Sequence, residues 1–216
     1  MTSTVYNADL AKDDMDQAPP DWETITTRQQ ALAPYYGLGF QKDVLEPDVY
    51  QKIWNHFATH ARQFSCEGQT GVIETINSSS LPALIYDDSQ FNAQLCALLQ
   101  PIHEQWCGMP LVTANAYGIR VYQHGSYLHN HVDLIQSHVI SSTICVDHRL
   151  NKPWPFYIED IDGHGHEISL QPGEMIFYES ARLKHGRPYP LDGEYYAALF
   201  VHYTPTTWSL TAADLQ

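Results

Sequence analysis

The chain has 216 residues and a formal net charge of −14, from 11 Lys and Arg against 25 Asp and Glu. A surface that acidic repels phosphate backbones and anionic lipid heads, which argues against nucleic-acid and membrane-surface binding. Hydrophobic residues at 44% and aromatic residues at 12% supply a core and argue against wholesale disorder.

No apolar run approaches the roughly 18–20 residues of a membrane span, and the N-terminal stretch lacks a basic-then-apolar leader. Cys66, Cys96, Cys107 and Cys145 are widely spaced and form no CxxC. They read as reduced thiols, and a cytoplasmic protein is the expectation.

Residues 1–30 carry polar clusters, Pro19-Pro20 and no sustained hydrophobic period, so a mobile or loosely packed tail is expected there. A single domain is expected over 31–210. Pro47 suits a first helical turn, after which Ile53, Trp54, Phe57, Ala58 and Ala61 recur at helical spacing. Asp88-Ser89 forms a capping pair for a second helix through Leu95, Leu99 and Trp106, with Pro101 able to kink or interrupt it.

From Ala114 onward the texture is β. Strands are expected around Tyr117–Val121, over Val139–Val146, Trp154–Ile158 and Ile168–Leu170, at Met175–Tyr178 and over Tyr195–Tyr203. Asp162-Gly163, Pro172-Gly173 and Asp192-Gly193 punctuate them as turns. The pattern is α+β, with N-terminal helices supporting an antiparallel barrel or sandwich of short strands.

His131 and Asp133 are two apart, which on an extended strand puts both side chains on one face. An imidazole and a carboxylate so placed are two of the three ligands of a facial triad, which holds Fe(II) and leaves positions open. The third must be a His from a later strand, and His185 follows the buried strand Met175–Tyr178. His129 shares the facing parity of His131 but is expected to pack. His164 and His166 read as solvated turn histidines, because zinc usually takes four ligands and no matching pair lies nearby.

Three segments carry a family resemblance: Tyr122-x-x-Gly125-x-Tyr127-x-x-x-His131-x-Asp133, Pro172-Gly173-Glu174-Met175-Ile176-Phe177-Tyr178, and His185. In these the chain resembles the prolyl 4-hydroxylase-like branch of the Fe(II)/2-oxoglutarate-dependent dioxygenases. The resemblance implies a double-stranded β-helix, a cupin-like jelly roll with supporting N-terminal helices. It implies His131, Asp133 and His185 as catalytic iron ligands, with Tyr122 and Tyr127 as cofactor-pocket residues. It further implies 2-oxoglutarate and O2 as co-substrates, ascorbate as a reductant, and hydroxylation of an unactivated C–H with release of succinate and CO2. The substrate it points to is a prolyl side chain, in a peptide or as a free amino acid, with other small molecules open. An Asp at position 133, not Ala or Gly, disfavours halogenation.

In that family the distal carboxylate of 2-oxoglutarate is usually held by Lys or Arg nine or ten residues after the distal His. Glu194 and Tyr195 stand there in this chain, and Arg187 is the sole Lys or Arg after His185. Strand alternation points Arg187 to the same interior as His185, so Arg187 is the expected anchor, with a hydroxyl hydrogen bond from Tyr195 on a neighbouring strand. His202, late on the last strand, could approach the site but is expected to pack, and 134–142 and 68–81 are candidate lids. Two other classes compete: a cupin-like metalloenzyme that does not use 2-oxoglutarate, and a non-catalytic module that binds 2-oxoglutarate or a peptide.

Overall fold

The computed structural model describes residues 22–67, 73–75 and 81–210. Residues 1–21 of the expected tail, and most of the candidate lid at 68–81, lie outside these. The rest of the tail differs from expectation. Helix α1 (Trp22–Leu32) buries Thr26, Gln29 and then Ala33 against the domain. Its attachment is polar, which is why no hydrophobic period marks it. Gln29 Oε1 accepts the Ile135 N–H at 3.2 Å, and Gln30 Nε2 donates to the Arg182 carbonyl at 3.0 Å.

Strand β1 (Phe40–Val44) leads into helix α2 (Pro47–Thr59), which opens on its proline and buries Ile53. Trp54, which the helical spacing groups with Ile53, is 39% exposed one position away. Short strands β2 (Ser65–Cys66), β3 (Ile73–Thr75) and β4 (Leu84–Ile85) follow. Helix α3 (Ser89–Cys107) starts where the Asp88 carboxylate accepts the Gln90 and Phe91 N–H groups, and ends at Gly108 with a left-handed φ of 68°. Pro101 does not break it. Leu95, Leu99, His103 and Cys107, spaced by four, form a buried stripe that holds both halves of the helix to the sheet.

The β region continues with β5 (Leu111–Gln123), β6 (Ser126–His131), β7 (Ile140–Leu150), β8 (Phe156–Glu159), β9 (Gly165–Ile168), β10 (Glu174–Tyr178), β11 (His185–Arg187) and β12 (Gly193–Pro205). The described strands form two antiparallel sheets. One runs β1-β10-β7-β12-β5-β4-β2, the other β3-β6-β11-β8-β9. Alternation along β12 separates two apolar layers. Ala197, Leu199, Val201 and Tyr203 face the helices, whereas Tyr196 and Ala198 join Tyr122, Leu128, Cys145, Ile158, Ile176 and Tyr178 between the sheets. The segment 134–142 is no lid: Ile135 and Val139 are buried, and β7 already begins at Ile140. All four cysteines are free and three are buried. No helix among the described residues is long and apolar enough to cross a membrane.

His103 ties α3 to β7. Its Nδ1 donates to the Leu99 carbonyl at 2.8 Å, which leaves Nε2 to accept from the Ser142 hydroxyl at 2.9 Å. Burial pushes this imidazole down from 6.5 to about 4. Unfolding therefore takes up a proton between those values, so the contribution is complete above pH 6.5 and is lost as pH falls toward 4. Between pH 7 and 5 chemical denaturation should show about 2 kcal/mol lost to this one ring. A His103→Leu protein should show a correspondingly flatter pH dependence.

Candidate metal centre

His185, at the start of β11, pairs in register with His131 at the end of β6. Asp133 follows two residues on, its N–H held by the Ser180 carbonyl at 2.9 Å. The result is a group in which His131, Asp133 and His185 each bring a ligand atom within 4.8 Å of the others. Both imidazole Nε2 atoms lie 3.6 Å from Asp133 Oδ1. His131 Nδ1 contacts the His129 carbonyl at 2.7 Å and His185 Nδ1 the Leu183 carbonyl at 2.8 Å. A carbonyl oxygen only accepts, so each Nδ1 carries its ring's proton and each neutral Nε2 presents a lone pair.

Two nitrogen lone pairs and a carboxylate oxygen thus converge with no donor among them. They repel unless a proton or a cation enters, and a divalent metal fits this two-nitrogen, one-oxygen set. Asp133 Oδ2 is buried without a hydrogen-bond partner among the described residues. Burial raises the Asp133 carboxyl, but positive charge on the surrounding His185, His131 and His202 rings outweighs it and holds the carboxyl well below the usual range, which is the case where protons enter in place of a metal.

The register of this corner depends on a bulge. His185 pairs with His131 but Arg187 pairs with Leu128, so β6 spends one more residue than β11. Gly186 sits at that close approach, where a Cβ would meet the Asn130 side chain at 2.6 Å and the His129 carbonyl at 2.8 Å. The extra residue changes the facing of β6. Leu128 and His131 point inward, and the alternation puts Tyr127 and His129 on the outer face, where their rings meet edge to face at 5.2 Å. Tyr127 is therefore not beside the metal group, and His129 does not share the facing of His131.

Arg187 does point between the sheets and is 3% exposed. Its Nη2 donates to the Tyr196 hydroxyl at 2.9 Å and its Nη1 to the Trp154 carbonyl. The guanidinium lies 4.2 Å from the Tyr196 ring centroid and 4.7 Å from that of Trp154. No carboxylate pairs with it among the described residues. Tyr195, expected beside it, is one residue off: its hydroxyl donates to Asp147 at 2.6 Å on the helix-facing side of β12. A single-residue offset on a strand reverses the facing, so Tyr196 holds the place expected of Tyr195.

Tyr122 is fully buried in the same layer, its hydroxyl accepting from Arg120 Nη1 at 3.3 Å and its ring edge-on to Trp154 at 5.0 Å. Arg120 is engaged elsewhere, since Glu67 takes Nε and Nη2 at 2.6 Å each.

Two inner residues were given no role at the site from the sequence. Tyr178 packs edge-on to His185 at 4.7 Å, and burial followed by the nearby Asp133 charge pushes its phenol well up, which keeps it a donor. His202, expected to pack sooner than to approach the site, places Nδ1 3.7 Å from Asp133 Oδ2. Even spacing along β12 from Tyr196 through Ala198 to His202 was the available signal. A second group at the β8–β9 turn, Asp160, Asp162 and His164, is largely exposed, and Asp160 already accepts the His164 and Asp162 N–H groups.

No protein-family model matches the sequence, and no curated protein is similar to it. Solved structures are similar in fold. A Pseudomonas putida prolyl-4-hydroxylase aligns with a TM-score of 0.58 at 12% identity, covering 84% of this chain and 98% of its own. A Trichoplax adhaerens prolyl hydroxylase, in complex with a hypoxia-inducible-factor peptide, aligns at 0.60 and 10% identity over 86% and 94%. HygX of Streptomyces hygroscopicus, with nickel, 2-oxoglutarate and hygromycin B bound, aligns at 0.53 and 15% identity over 78% and 84%. The chain therefore has the double-stranded β-helix architecture of the 2-oxoglutarate/Fe(II) oxygenases, and the candidate metal centre lies within it.

Proposed function

We propose that this chain is an Fe(II)- and 2-oxoglutarate-dependent dioxygenase that hydroxylates an unactivated C–H. The observation that carries this reading is the convergence of three acceptors, His131 Nε2, Asp133 Oδ1 and His185 Nε2, with both Nδ1 protons committed to backbone carbonyls. Buried Arg187, with no carboxylate partner among the described residues, supports it, because a buried charge calls for a counterion.

In this reading His131, Asp133 and His185 hold Fe(II) through one face. Arg187 binds the distal carboxylate of 2-oxoglutarate, and Tyr122 and Tyr178 line the space between. When bound, the iron and 2-oxoglutarate supply the oxidising chemistry, with succinate and CO2 as co-products. The protein's own part is to fix the ligands facially, keep the imidazoles in one tautomer, exclude water with the Trp154, Tyr178 and Tyr196 layer, and orient one C–H. The substrate class is a prolyl side chain, in a peptide or as a free amino acid, in line with the presence of prolyl hydroxylases among the similar structures.

Anaerobic addition of Fe(II) and 2-oxoglutarate should produce the weak visible metal-to-ligand charge-transfer band, absent in His131→Ala. Its absence from the wild-type protein would rule out the oxygenase reading. Succinate release over prolyl peptides, free amino acids and small acids should then be stimulated by a prolyl compound. Stimulation by another class alone would refute the prolyl assignment and leave the oxygenase standing.

A further inference from the structure

Two of the three metal ligands hang on one turn. Between β10 and β11 the Arg182 and Leu183 N–H groups donate to the Glu179 carbonyl at 3.0 and 2.8 Å, which folds residues 179–183 back on themselves. The Ser180 carbonyl of this turn accepts the Asp133 N–H at 2.9 Å, and its Leu183 carbonyl accepts the His185 Nδ1–H at 2.8 Å. The turn therefore fixes the backbone of Asp133 and the tautomer and facing of the His185 ring.

Residues 22–39 hold this turn from outside. Glu179 is 1% exposed, and its carboxylate accepts three backbone N–H groups from the segment that joins α1 to β1. Tyr36 donates to Oε1 at 2.6 Å, and Leu38 and Gly39 donate to Oε2 at 3.0 and 2.8 Å. From α1, Gln30 Nε2 donates to the Arg182 carbonyl at 3.0 Å, and Arg182 Nη1 donates to the Gln30 carbonyl. On the other strand end, Gln29 Oε1 accepts the N–H of Ile135, two residues past Asp133. One segment thus grips both the stretch that carries Asp133 and the turn that leads into His185. Its grip is polar: among its described apolar side chains only Ala33 is buried. A unit with so little buried apolar surface opens at lower free energy than the sheet core.

We propose that residues 22–39 are a clasp on the metal centre, coupled to it through Glu179 as a positioning residue, so that clasp docking and metal binding favour one another. With the clasp docked, Asp133 and His185 keep the spacing that one ion can bridge. With it open, the 179–183 turn loses its outer partners and the two ligands lose their common support. An ion that binds the docked form better must tighten the clasp by the same factor. The inference rests on the reading of His131, Asp133 and His185 as metal ligands, and Glu179 touches neither metal nor substrate.

The test uses Co(II) alone, without 2-oxoglutarate or O2, so that coupling is read apart from turnover. In the wild-type protein, saturation with Co(II) should slow amide hydrogen exchange at Tyr36, Leu38 and Gly39 at least about tenfold, and helix α2 far less. No slowing in the clasp, or equal slowing in α2, would overturn the proposal. In Glu179→Gln the amide turns its NH2 on at least one of the three N–H groups in either orientation. Its Co(II) affinity should fall about 10–100-fold, with a wild-type visible spectrum at saturation because the bound ion redocks the clasp. Gln30→Leu removes one hydrogen bond between α1 and the turn and should weaken Co(II) binding by a smaller factor, which keeps the test sharp if Glu179→Gln fails to fold. A lowered melting temperature with wild-type Co(II) affinity in either variant would mark a merely structural contact and overturn the proposal. A wild-type protein that does not bind Co(II) would overturn the metal-ligand reading as well. Co(II)-dependent protection of the clasp, with no charge-transfer band on adding Fe(II) and 2-oxoglutarate, would sink the oxygenase reading and leave the clasp standing.

Discussion

Asp133→Asn should abolish metal-dependent turnover, by at least about a thousandfold or about 4 kcal/mol of barrier, while leaving the metal-free protein as stable as before. The two halves of this result follow from the same geometry. Without metal, and at a pH where both rings are neutral, Asp133 contributes little to holding the fold together: Oδ2 has no hydrogen-bond partner among the described residues, and Oδ1 then faces two ring nitrogens that are acceptors. The backbone N–H of residue 133 still bonds to the Ser180 carbonyl whatever side chain it carries. An asparagine amide can donate where the carboxylate could only accept, so the repulsion among the three side chains is relieved. With metal, the anionic ligand is gone and two neutral imidazoles remain. Scanning calorimetry separates the halves. A divalent ion present at 100 times its Kd stabilises the native state by about 2.7 kcal/mol. For a domain of this size that is a rise of about 5–10 °C in Tm. The rise should appear in the wild type and vanish in Asp133→Asn, with the two metal-free melting temperatures close together. A variant that kept the metal-induced rise would show that the ion binds elsewhere.

What was legible beforehand was whatever a period of two or a period of four encodes. β-Branched and aromatic runs located β5, β7, β10 and β12, and alternation put His131 and Asp133 on one face and Arg187 inside with His185. Pro47 and Asp88 marked two helix starts because a ring without an N–H and a short carboxylate each solve the problem of unpaired N–H groups. Helix α1 escaped because Gln29 and Gln30 dock it through hydrogen bonds to Ile135 and Arg182, which leave no apolar trace. Tyr127 and His129 were misplaced by the bulge opposite Gly186, since a register shift set by two strands 50 or so residues apart is not written in either one. Tyr195 was chosen by its distance from His185 along the chain, although the facing along β12 favours Tyr196. His202 was expected to pack because its neighbours Ser141 and Asp133 are brought to it by the fold from two other segments.

Arg187→Met should raise the Kd for 2-oxoglutarate on Co(II)-loaded protein at least about 100-fold, about 3 kcal/mol, with Co(II) affinity unchanged. The guanidinium carries five donors, and the described residues take one through Tyr196 and one through Trp154. Tyr196 and Trp154 offer ring faces and oxygen atoms but no negative charge, so the charge is stabilised without being neutralised. Arg120 makes the contrast, because the Glu67 carboxylate fills its fork. The two arginines should therefore respond with opposite signs. Methionine at 187 keeps the volume between the two rings and removes an unpaired buried charge, so urea denaturation of the cofactor-free protein should show equal or greater stability. Methionine at 120 strands Glu67, which is nearly buried, and should cost about 3–5 kcal/mol, while the folded fraction binds 2-oxoglutarate as before. Lysine at 187 should fall between, since it restores the charge but neither the fork nor the stacking. Calorimetric titration of 2-oxoglutarate into each Co(II)-loaded variant, paired with its denaturation curve, distinguishes the anchor from the brace. Undiminished affinity in Arg187→Met would move the anchor to another residue.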